Sequence, residues 1–172
     1  GLSRGLGDVY KRQIGKSAII GMKLSSTLNS TGSPSIFMHG SDALHGDLGA
    51  ITKDDVLIYI SKSGSNSDTV DLVNSLKKNG VDIVSITANK DSYLAKNSRH
   101  IIYTPIDVEA CPNNLAPTTS TGIQLLVGDI IAICLMSLKN FDKISFAKLH
   151  PSGSLGKKLT TTVEDLTDTQ NT

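Results

Sequence analysis

The fold of this 172-residue chain is decided by the stretch VLIYISKSGSNS at residues 56–67, an apolar run that passes directly into a serine-rich turn. From Val56 to Ile60 the residues are apolar without alternation, which is typical of a central strand buried on both faces of a parallel sheet. Residues 67–78 then carry apolar side chains at helical spacing, and Gly80 suits the left-handed position that follows a helix. The order of strand, turn and helix predicts one crossover unit.

The same alternation continues on both sides of this stretch. It predicts further strands over residues 35–38, 81–86 and His100–Tyr103, the first being the weakest, and further helices over 17–29 and 118–139. The last helix is expected to be long and mostly buried. Strands that alternate with helices in this way predict an α/β domain with a parallel sheet covered on both faces.

Composition excludes several classes of protein. An apolar fraction of 38% in 172 residues suits one compact globular domain. The net charge of +1 lacks the basic excess expected of a nucleic-acid binder. The longest apolar run is residues 130–136, because Gln124 and Asp129 interrupt the stretch around it, so no membrane span of about 20 residues is predicted. We expect a soluble protein that binds neither nucleic acid nor membrane.

Cysteine usage bears on the compartment. Cys111 lies in a predicted loop and Cys134 in a predicted helix, and neither their number nor their spacing indicates a disulfide framework or a zinc site. No apolar N-terminal segment has the pattern of a secretory signal. Reduced thiols in the cytoplasm are the simplest interpretation.

The turn after the first quoted strand is the strongest candidate for ligand binding. Free backbone N–H groups and the helix dipole favour an anion where a strand leads into a helix. The hydroxyls of Ser61, Ser63 and Ser65 can donate to phosphate oxygens, and Gly64 lets the backbone approach closely. A serine-rich turn without function would have a similar composition, but the order of strand, glycine and helix favours phosphate binding.

A second glycine-containing segment precedes the predicted helix over 17–29. Gly15-Lys16-Ser17 resembles part of a nucleotide-binding P-loop, but the first glycine of that motif is replaced by Tyr10 and no convincing strand precedes it. Lys16 remains a candidate partner for a substrate oxygen or phosphate, since a lysine at a helix start lies against the unfavourable end of the dipole. The alternative is a solvated surface lysine.

Four further titratable side chains lie in predicted loops. His39 and His45 flank a polar loop after a predicted strand, and either is a candidate proton carrier, although histidine is also common in turns. Glu109 and His150 lie beside apolar or backbone-restricting neighbours. No metal-ligand pattern is present, so metal-free acid/base chemistry is the economical interpretation.

Several blocks together resemble a known family. They are GKSA at 15–18, STGSPSIFMHGSDALHGDLG at 30–49, SKSGSNSD at 61–68, EACPNNLAPTTSTG at 109–122 and LHPSGSLGKKL at 149–159. The chain is similar over about 14–159 to the sugar-isomerase (SIS) domain of the KpsF/GutQ-type arabinose-5-phosphate isomerases. The SxSG block is shared by SIS domains generally, whereas the HGDLG, EACP–LAPT and HPxGxLG blocks are specific to this subfamily.

This resemblance implies a fold and an activity. The fold is a three-layer αβα sandwich with a flavodoxin-like sheet, and the reaction is the interconversion of D-ribulose 5-phosphate and D-arabinose 5-phosphate for 3-deoxy-D-manno-octulosonate (Kdo) biosynthesis. It also implies no cofactor and a cytoplasmic homotetramer with active sites at subunit contacts. The alternatives that remain open are a non-catalytic sugar-phosphate-binding regulatory module and an isomerase for a different phosphorylated sugar.

The resemblance also assigns site residues. The implied catalytic residues are Lys16, His45, Asp68, Glu109 and His150. The substrate phosphate is implied to bind Ser17, Ser61, Ser63, Gly64, Ser65 and Asn66.

The chain departs from the family pattern at several positions. Asp68 stands where the family usually has glutamate, Asn66 where it has serine or threonine, and Ala18 where it has glycine. A carboxylate one methylene shorter is expected to reduce activity, because a geometric error near 1 Å costs about a hundredfold in rate.

The two ends of the chain fit the domain poorly. Residues 1–13, GLSRGLGDVYKRQ, replace the strand expected before Gly15, and we predict that they are foreign to the domain. The SIS domain is predicted over 14–160, followed by a polar tail at 161–172 without the tandem CBS domains that often follow it.

Overall fold

The computed structural model describes residues 16–152, which form parallel strands connected by helices. The elements in chain order are α1 Lys16–Ser30, α2 Gly40–Leu44, a 3₁₀ turn Asp47–Ala50, β1 Val56–Ile60, α3 Ser67–Lys78, β2 Asp82–Thr87, α4 Tyr93–Lys96, β3 His100–Tyr103, α5 Thr119–Leu138 and α6 Lys143–Leu149. The predictions about 1–13, about the strand before Gly15 and about 161–172 lie outside the described residues.

The described residues form two compact units. The first contains residues 16–22 and 37–126, and the second contains 23–36 and 127–152. The sheet and most of the predicted site residues belong to the first unit. His150 belongs to the second.

The sheet confirms the predicted parallel α/β architecture. Its strand order is β1-β2-β3, and both pairings are parallel, with Val56 opposite Asp82 and Val84 opposite His100. The connections from β1 to β2 and from β2 to β3 contain α3 and α4, as parallel neighbours require. The central position of β2 explains why Ile83 and Ile86 are fully buried.

Helix α3 has the predicted limits because both of its ends are capped. The side chain of Asn66 accepts from the backbone N–H of Thr69 at 3.0 Å at the N-terminus. At the C-terminus Gly80 has a φ of +70°, the left-handed conformation predicted for it. The helix buries Leu72, Val73 and Leu76 in the core of the first unit.

Two predictions about strands are wrong. Residues 35–38 do not form a strand, and Ile36 is 82% exposed. Residues 35–38 pair with no strand among residues 16–152, so they take part in no ladder of hydrogen bonds there. Strand β1 was predicted to be central and buried on both faces, but within residues 16–152 it has one neighbour, β2, and Val56 is 61% exposed.

Helix α5 is less buried than predicted. Its buried residues recur every four positions and are Ser120, Gln124, Gly128 and Ala132. Large apolar side chains on its other sides are exposed, namely Leu126, Ile130, Ile133 and Leu138. By length and composition alone this helix could cross a membrane, a possibility that counting uninterrupted apolar residues did not reveal.

Hydrogen bonds and close packing connect the segments of the second unit. The Lys139 ammonium donates to the carbonyl of Gly32 at 3.2 Å and to the hydroxyl of Ser33 at 2.9 Å. Gly32 has a φ of +80°, and a Cβ there would lie 2.4 Å from the ring of Phe141. Asp142 caps α6 by accepting from the N–H of Ser145 at 2.8 Å. This unit therefore positions α6 and the histidine that follows it.

Candidate functional site

The turn between β1 and α3 has one backbone conformation fixed by its glycine. Gly64 has a φ of +64°, and a Cβ there would lie 2.5 Å from the hydroxyl of Ser92. Its N–H donates to the hydroxyl of Ser61 at 3.1 Å, and its carbonyl accepts from the N–H of Leu94 at 2.9 Å. The start of α4 thus packs against the turn, and only glycine fits at this position without strain.

The turn presents donors at the N-terminus of α3. Ser63, Ser65 and Asn66 are exposed. Since Asn66 caps the N–H of Thr69, the N–H groups of Ser67 and Asp68 remain as first-turn donors without an intrahelical acceptor. Hydroxyls, free amides and the helix dipole at one place favour an anion, so the geometry supports the predicted phosphate-binding turn.

Glu109 is a buried carboxylate surrounded by donors. Its side chain is 1% exposed. One oxygen, Oε1, accepts from the ammonium of Lys62 at 2.6 Å and from the hydroxyl of Ser120 at 2.6 Å. The other, Oε2, accepts from the backbone N–H groups of Thr118 at 2.9 Å and Ser120 at 3.1 Å. The carboxylate therefore pairs with the turn after β1 and also caps the N-terminus of α5.

These contacts set the charge of Glu109. The bond from Lys62 and then those from Ser120 and Thr118 hold the pKa of the Glu109 carboxyl far below its usual range, against the opposing effect of burial. The group is therefore ionised at neutral pH. In this arrangement it is a hydrogen-bond acceptor whose lone pairs are already occupied, rather than an acid.

His150 has a defined tautomer. Its Nδ1 lies 2.8 Å from the carbonyl oxygen of Phe146, and its ring stacks on the ring of Phe146 at a centroid distance of 3.9 Å. A carbonyl only accepts, so Nδ1 carries the hydrogen, and Nε2 of the neutral ring has a lone pair that accepts no hydrogen bond from residues 16–152. This arrangement suits a general base.

The remaining predicted residues are not among the described partners of Glu109. Lys16 is exposed at the start of α1, and the hydroxyl of Ser17 beside it donates to Gln124 at 3.2 Å. His45 is exposed and follows α2. Within residues 16–152 no hydrogen bond or ion pair connects Lys16, His45 or Asp68 to Glu109.

His39 has a local structural role. It precedes α2, and its Nδ1 lies 2.7 Å from the hydroxyl of Ser41 and accepts from the backbone N–H of that residue at 3.3 Å. These contacts cap the short helix. They favour the turn interpretation of this histidine over a role as proton carrier.

Sequence reasoning missed the partners of Glu109. Lys62 stands at the variable position of the SxSG pattern, where the pattern itself gives no reason to select it. Thr118 and Ser120 lie in the quoted LAPTTSTG block, and serine and threonine before a long apolar helix are a signal for a helix N-terminus that could have identified them.

An apolar hollow in the first unit lies away from these polar groups. Its volume is about 50 Å³, and its lining includes Met38, Ala43, Leu57, Tyr59 and Leu72. A site for a small molecule is normally several hundred Å³ and contains converging polar groups. In size and lining, this hollow therefore does not match a sugar-phosphate site.

The conformation of the turn predicts the effect of Gly64→Ala. The substitution should lower the free energy of unfolding by about 1–3 kcal/mol, because it places a side chain in left-handed backbone against Ser92. Gly122→Ala is the control, since a Cβ there meets nothing within 4 Å and alanine favours its helix. Urea denaturation measures both, and equal stability of the two variants would contradict the described turn.

The ionisation of Glu109 predicts a pH-dependent effect of Glu109→Gln. The lowered pKa of Glu109 contributes stability that is present above the unfolded-state value of about 4.3 and is lost as pH falls through the lower folded-state value. The variant should therefore be less stable than the parent at pH 7, and the difference should shrink as the pH falls below about 4. Denaturation over a pH series measures this difference. Asp71→Asn on the exposed side of α3 is the control and should change stability by less than about 0.5 kcal/mol at every pH. A gap for Glu109→Gln that does not depend on pH would contradict the assignment.

Comparison with known proteins gives the family of the chain. The SIS domain family matches residues 14–134. The chain is 48% identical over 160 residues to arabinose 5-phosphate isomerase KpsF of Escherichia coli, covering 93% of this chain and 50% of that protein. It is 48% identical over 153 residues to arabinose 5-phosphate isomerase KdsD of Francisella tularensis, covering 89% and 47%. The chain thus spans about half the length of these curated relatives.

A solved structure is similar as well. It is an E. coli CFT073 protein in complex with arabinose 5-phosphate, with a TM-score of 0.77 and 44% identity, covering 80% of this chain and 73% of that one. The family match extends over the sheet, the turn after β1 and the Glu109 loop. The chain belongs to the SIS domain family.

Proposed function

We propose that this chain is the SIS domain of an arabinose-5-phosphate isomerase, which interconverts D-ribulose 5-phosphate and D-arabinose 5-phosphate for Kdo biosynthesis. The observation that carries the proposal is the Lys62–Glu109 pair, which joins a buried carboxylate to the turn predicted to bind phosphate, in a chain 48% identical to a protein named for this activity. The names of the relatives indicate the substrate, and the ion pair indicates which carboxylate takes part in the reaction.

Aldose–ketose isomerisation moves a proton between adjacent carbons while charge develops on the neighbouring oxygen. The phosphate carries a charge of about −1.5 to −2, which suits the turn at Ser61–Asn66 at the N-terminus of α3, and Ser17 is the further hydroxyl proposed to bind it. Docking of the phosphate there places C1 and C2 of the sugar for reaction. The turn thus contributes to the reaction by orienting the sugar.

The proposed proton-transfer groups have separate roles. His150 transfers the proton through an enediol, using the lone pair of Nε2, with Glu109 as its co-catalyst. Lys16 and His45 polarise the carbonyl or open the sugar ring. Asp68, exposed in the first turn of α3, completes the proposed catalytic set at reduced efficiency because it is shorter than glutamate. No cofactor takes part in this proposal.

The assay incubates the purified chain with ribulose 5-phosphate and detects arabinose 5-phosphate, beside a panel of other pentose and hexose phosphates. Formation of arabinose 5-phosphate as the preferred product supports the proposal. Preference for another sugar phosphate would identify a different isomerase. Binding without turnover of any sugar would instead favour the regulatory module.

Substitution of His150 tests its proposed role. His150→Ala should lower kcat by about 10² to 10⁴, which is the usual contribution of a positioned acid/base group. His100→Ala is the matched control, since this exposed histidine begins β3 and has no proposed role. Steady-state kinetics of both variants give the comparison. Turnover of His150→Ala within a few-fold of the control would remove His150 from the mechanism.

We also propose that the chain is a cytoplasmic homotetramer with active sites at subunit contacts. The exposed apolar side chains of Leu126, Ile130 and Ile133 on α5 support this proposal, because clustered exposed apolar surface marks interaction sites. Asp129, on the same helix, forms an ion pair with Lys23 of α1, and charged groups at this position suit a protein interface better than lipid.

Substitution on α5 tests this assembly. Ile133→Glu should shift the mass measured by light scattering from tetramer toward smaller species, because a charge on an apolar contact opposes association. Lys96→Glu, at an exposed position of α4, is the control and should leave the mass unchanged. A monomer for the parent chain, or its recovery with the membrane fraction, would contradict the proposal.

A further inference from the structure

Lys62 has a fixed main chain and a movable side chain. Its carbonyl accepts from the N–H of Ala88 at 3.1 Å and from the hydroxyl of Thr87 at 3.1 Å, both at the end of β2. Two hydrogen bonds to one carbonyl hold the backbone in place. The side chain is 46% exposed and extends to Glu109 from this anchored point.

The donors to Glu109 differ in how firmly the fold holds them. Thr118 and Ser120 donate from the backbone at the start of α5, and the Ser120 hydroxyl belongs to a residue that is 4% exposed. These donors are part of the helix cap. Lys62 is the one charged donor to this carboxylate among residues 16–152, and it reaches the carboxylate from the solvent side.

The ammonium of Lys62 has donors to spare. It carries three N–H groups, and one of them is directed at Oε1 of Glu109. The same residue lies inside the turn whose hydroxyls and amides favour a phosphate. A ligand anion bound to that turn can therefore accept a hydrogen bond from this ammonium, and its negative charge attracts the ammonium away from Glu109.

We propose that Lys62 is a further substrate-binding residue, which donates to Glu109 in the free protein and transfers to an anionic oxygen of the sugar phosphate when that ligand binds. The inference rests on the proposed function for the identity of the ligand. After the transfer, the carboxylate of Glu109 keeps its donors from Ser120 and Thr118, so it is not left without a partner.

The transfer changes the chemistry of Glu109. Lys62 is the largest cause of the lowered pKa of this carboxyl, and its other contacts, Ser120 and Thr118, are uncharged. The titratable Cys111 lies two residues further along the same loop. Loss of the ammonium raises the pKa of Glu109 and frees a lone pair on Oε1, so the carboxylate becomes a better proton acceptor when substrate is present.

Variants of Lys62 test the binding role. Lys62→Met should weaken the binding of arabinose 5-phosphate by about tenfold to a hundredfold in calorimetry, the effect of losing one charge-assisted hydrogen bond. Lys62→Arg, which keeps the charge, should restore most of the affinity. Lys78→Met is the control, because this exposed lysine lies in the last turn of α3, about 15 Å along the helix from the turn.

A measurement on the parent chain tests the exchange directly. The carboxyl carbon of Glu109 is followed by NMR over a pH series and assigned through Glu109→Gln. Arabinose 5-phosphate should move the titration of this carbon to higher pH, whereas arabinose without phosphate should not. In Lys62→Met the titration should already lie at higher pH without ligand.

Either of two results overturns the inference. The first is binding of arabinose 5-phosphate by Lys62→Met as tightly as by the parent chain. The second is an unchanged Glu109 titration on saturation with that ligand. Failure of the proposed function is a separate result, namely no isomerisation of any sugar phosphate by the parent chain. Inorganic phosphate then serves as the probe. Its affinity for Lys62→Met and its effect on the Glu109 titration test whether Lys62 binds the anion.

Discussion

The carbonyl of Lys62 accepts two hydrogen bonds from the end of β2, and the candidate site depends on this junction. Parallel strands bring their carboxyl ends to one edge of the sheet, which is where ligands bind in open α/β folds. The loop after β1 contains Lys62, and the loop that contains Glu109 follows β3. The ion pair between them therefore bridges the two outer strands across the end of the central one.

Glu109 combines two functions in one carboxylate. Burial of a charge is costly unless it is paired and hydrogen-bonded, and this group has donors on both oxygens. Part of this set belongs to the N-terminus of α5, which ties the start of that helix to the loop. In the proposed mechanism the carboxylate that caps α5 becomes available for proton transfer when Lys62 leaves it.

Local sequence patterns were enough to predict the elements whose limits are set by nearby residues. β1, α3 and β3 have the predicted limits, because an apolar run, a capping side chain and a C-terminal glycine determine them within a few residues. The strand over 35–38 could not be judged in this way, since a strand exists only with a neighbour. The burial of α5 likewise depends on what packs against it, and its apolar composition does not contain that information.

The candidate site was predicted less completely than the fold. The turn at 61–67 was predicted from its residue types and from the order of strand, glycine and helix. Glu109 was predicted from its neighbours and from the family resemblance. Lys62 was not, because the ion pair joins residues 47 positions apart and no local pattern encodes such a contact. The short helix α6 was missed as well, and with it the contacts that determine the tautomer of His150.

The stack of Phe146 on His150 makes the proposed proton transfer depend on an aromatic residue as well. Phe146 supplies both the ring that fixes the plane of the imidazole and the carbonyl that fixes its hydrogen. A leucine at that position would keep the carbonyl and the hydrophobic character but lose the flat partner. If His150 has its proposed role, related proteins that keep this histidine should also keep an aromatic residue at position 146. A change to another apolar residue there would then affect activity more than helix packing.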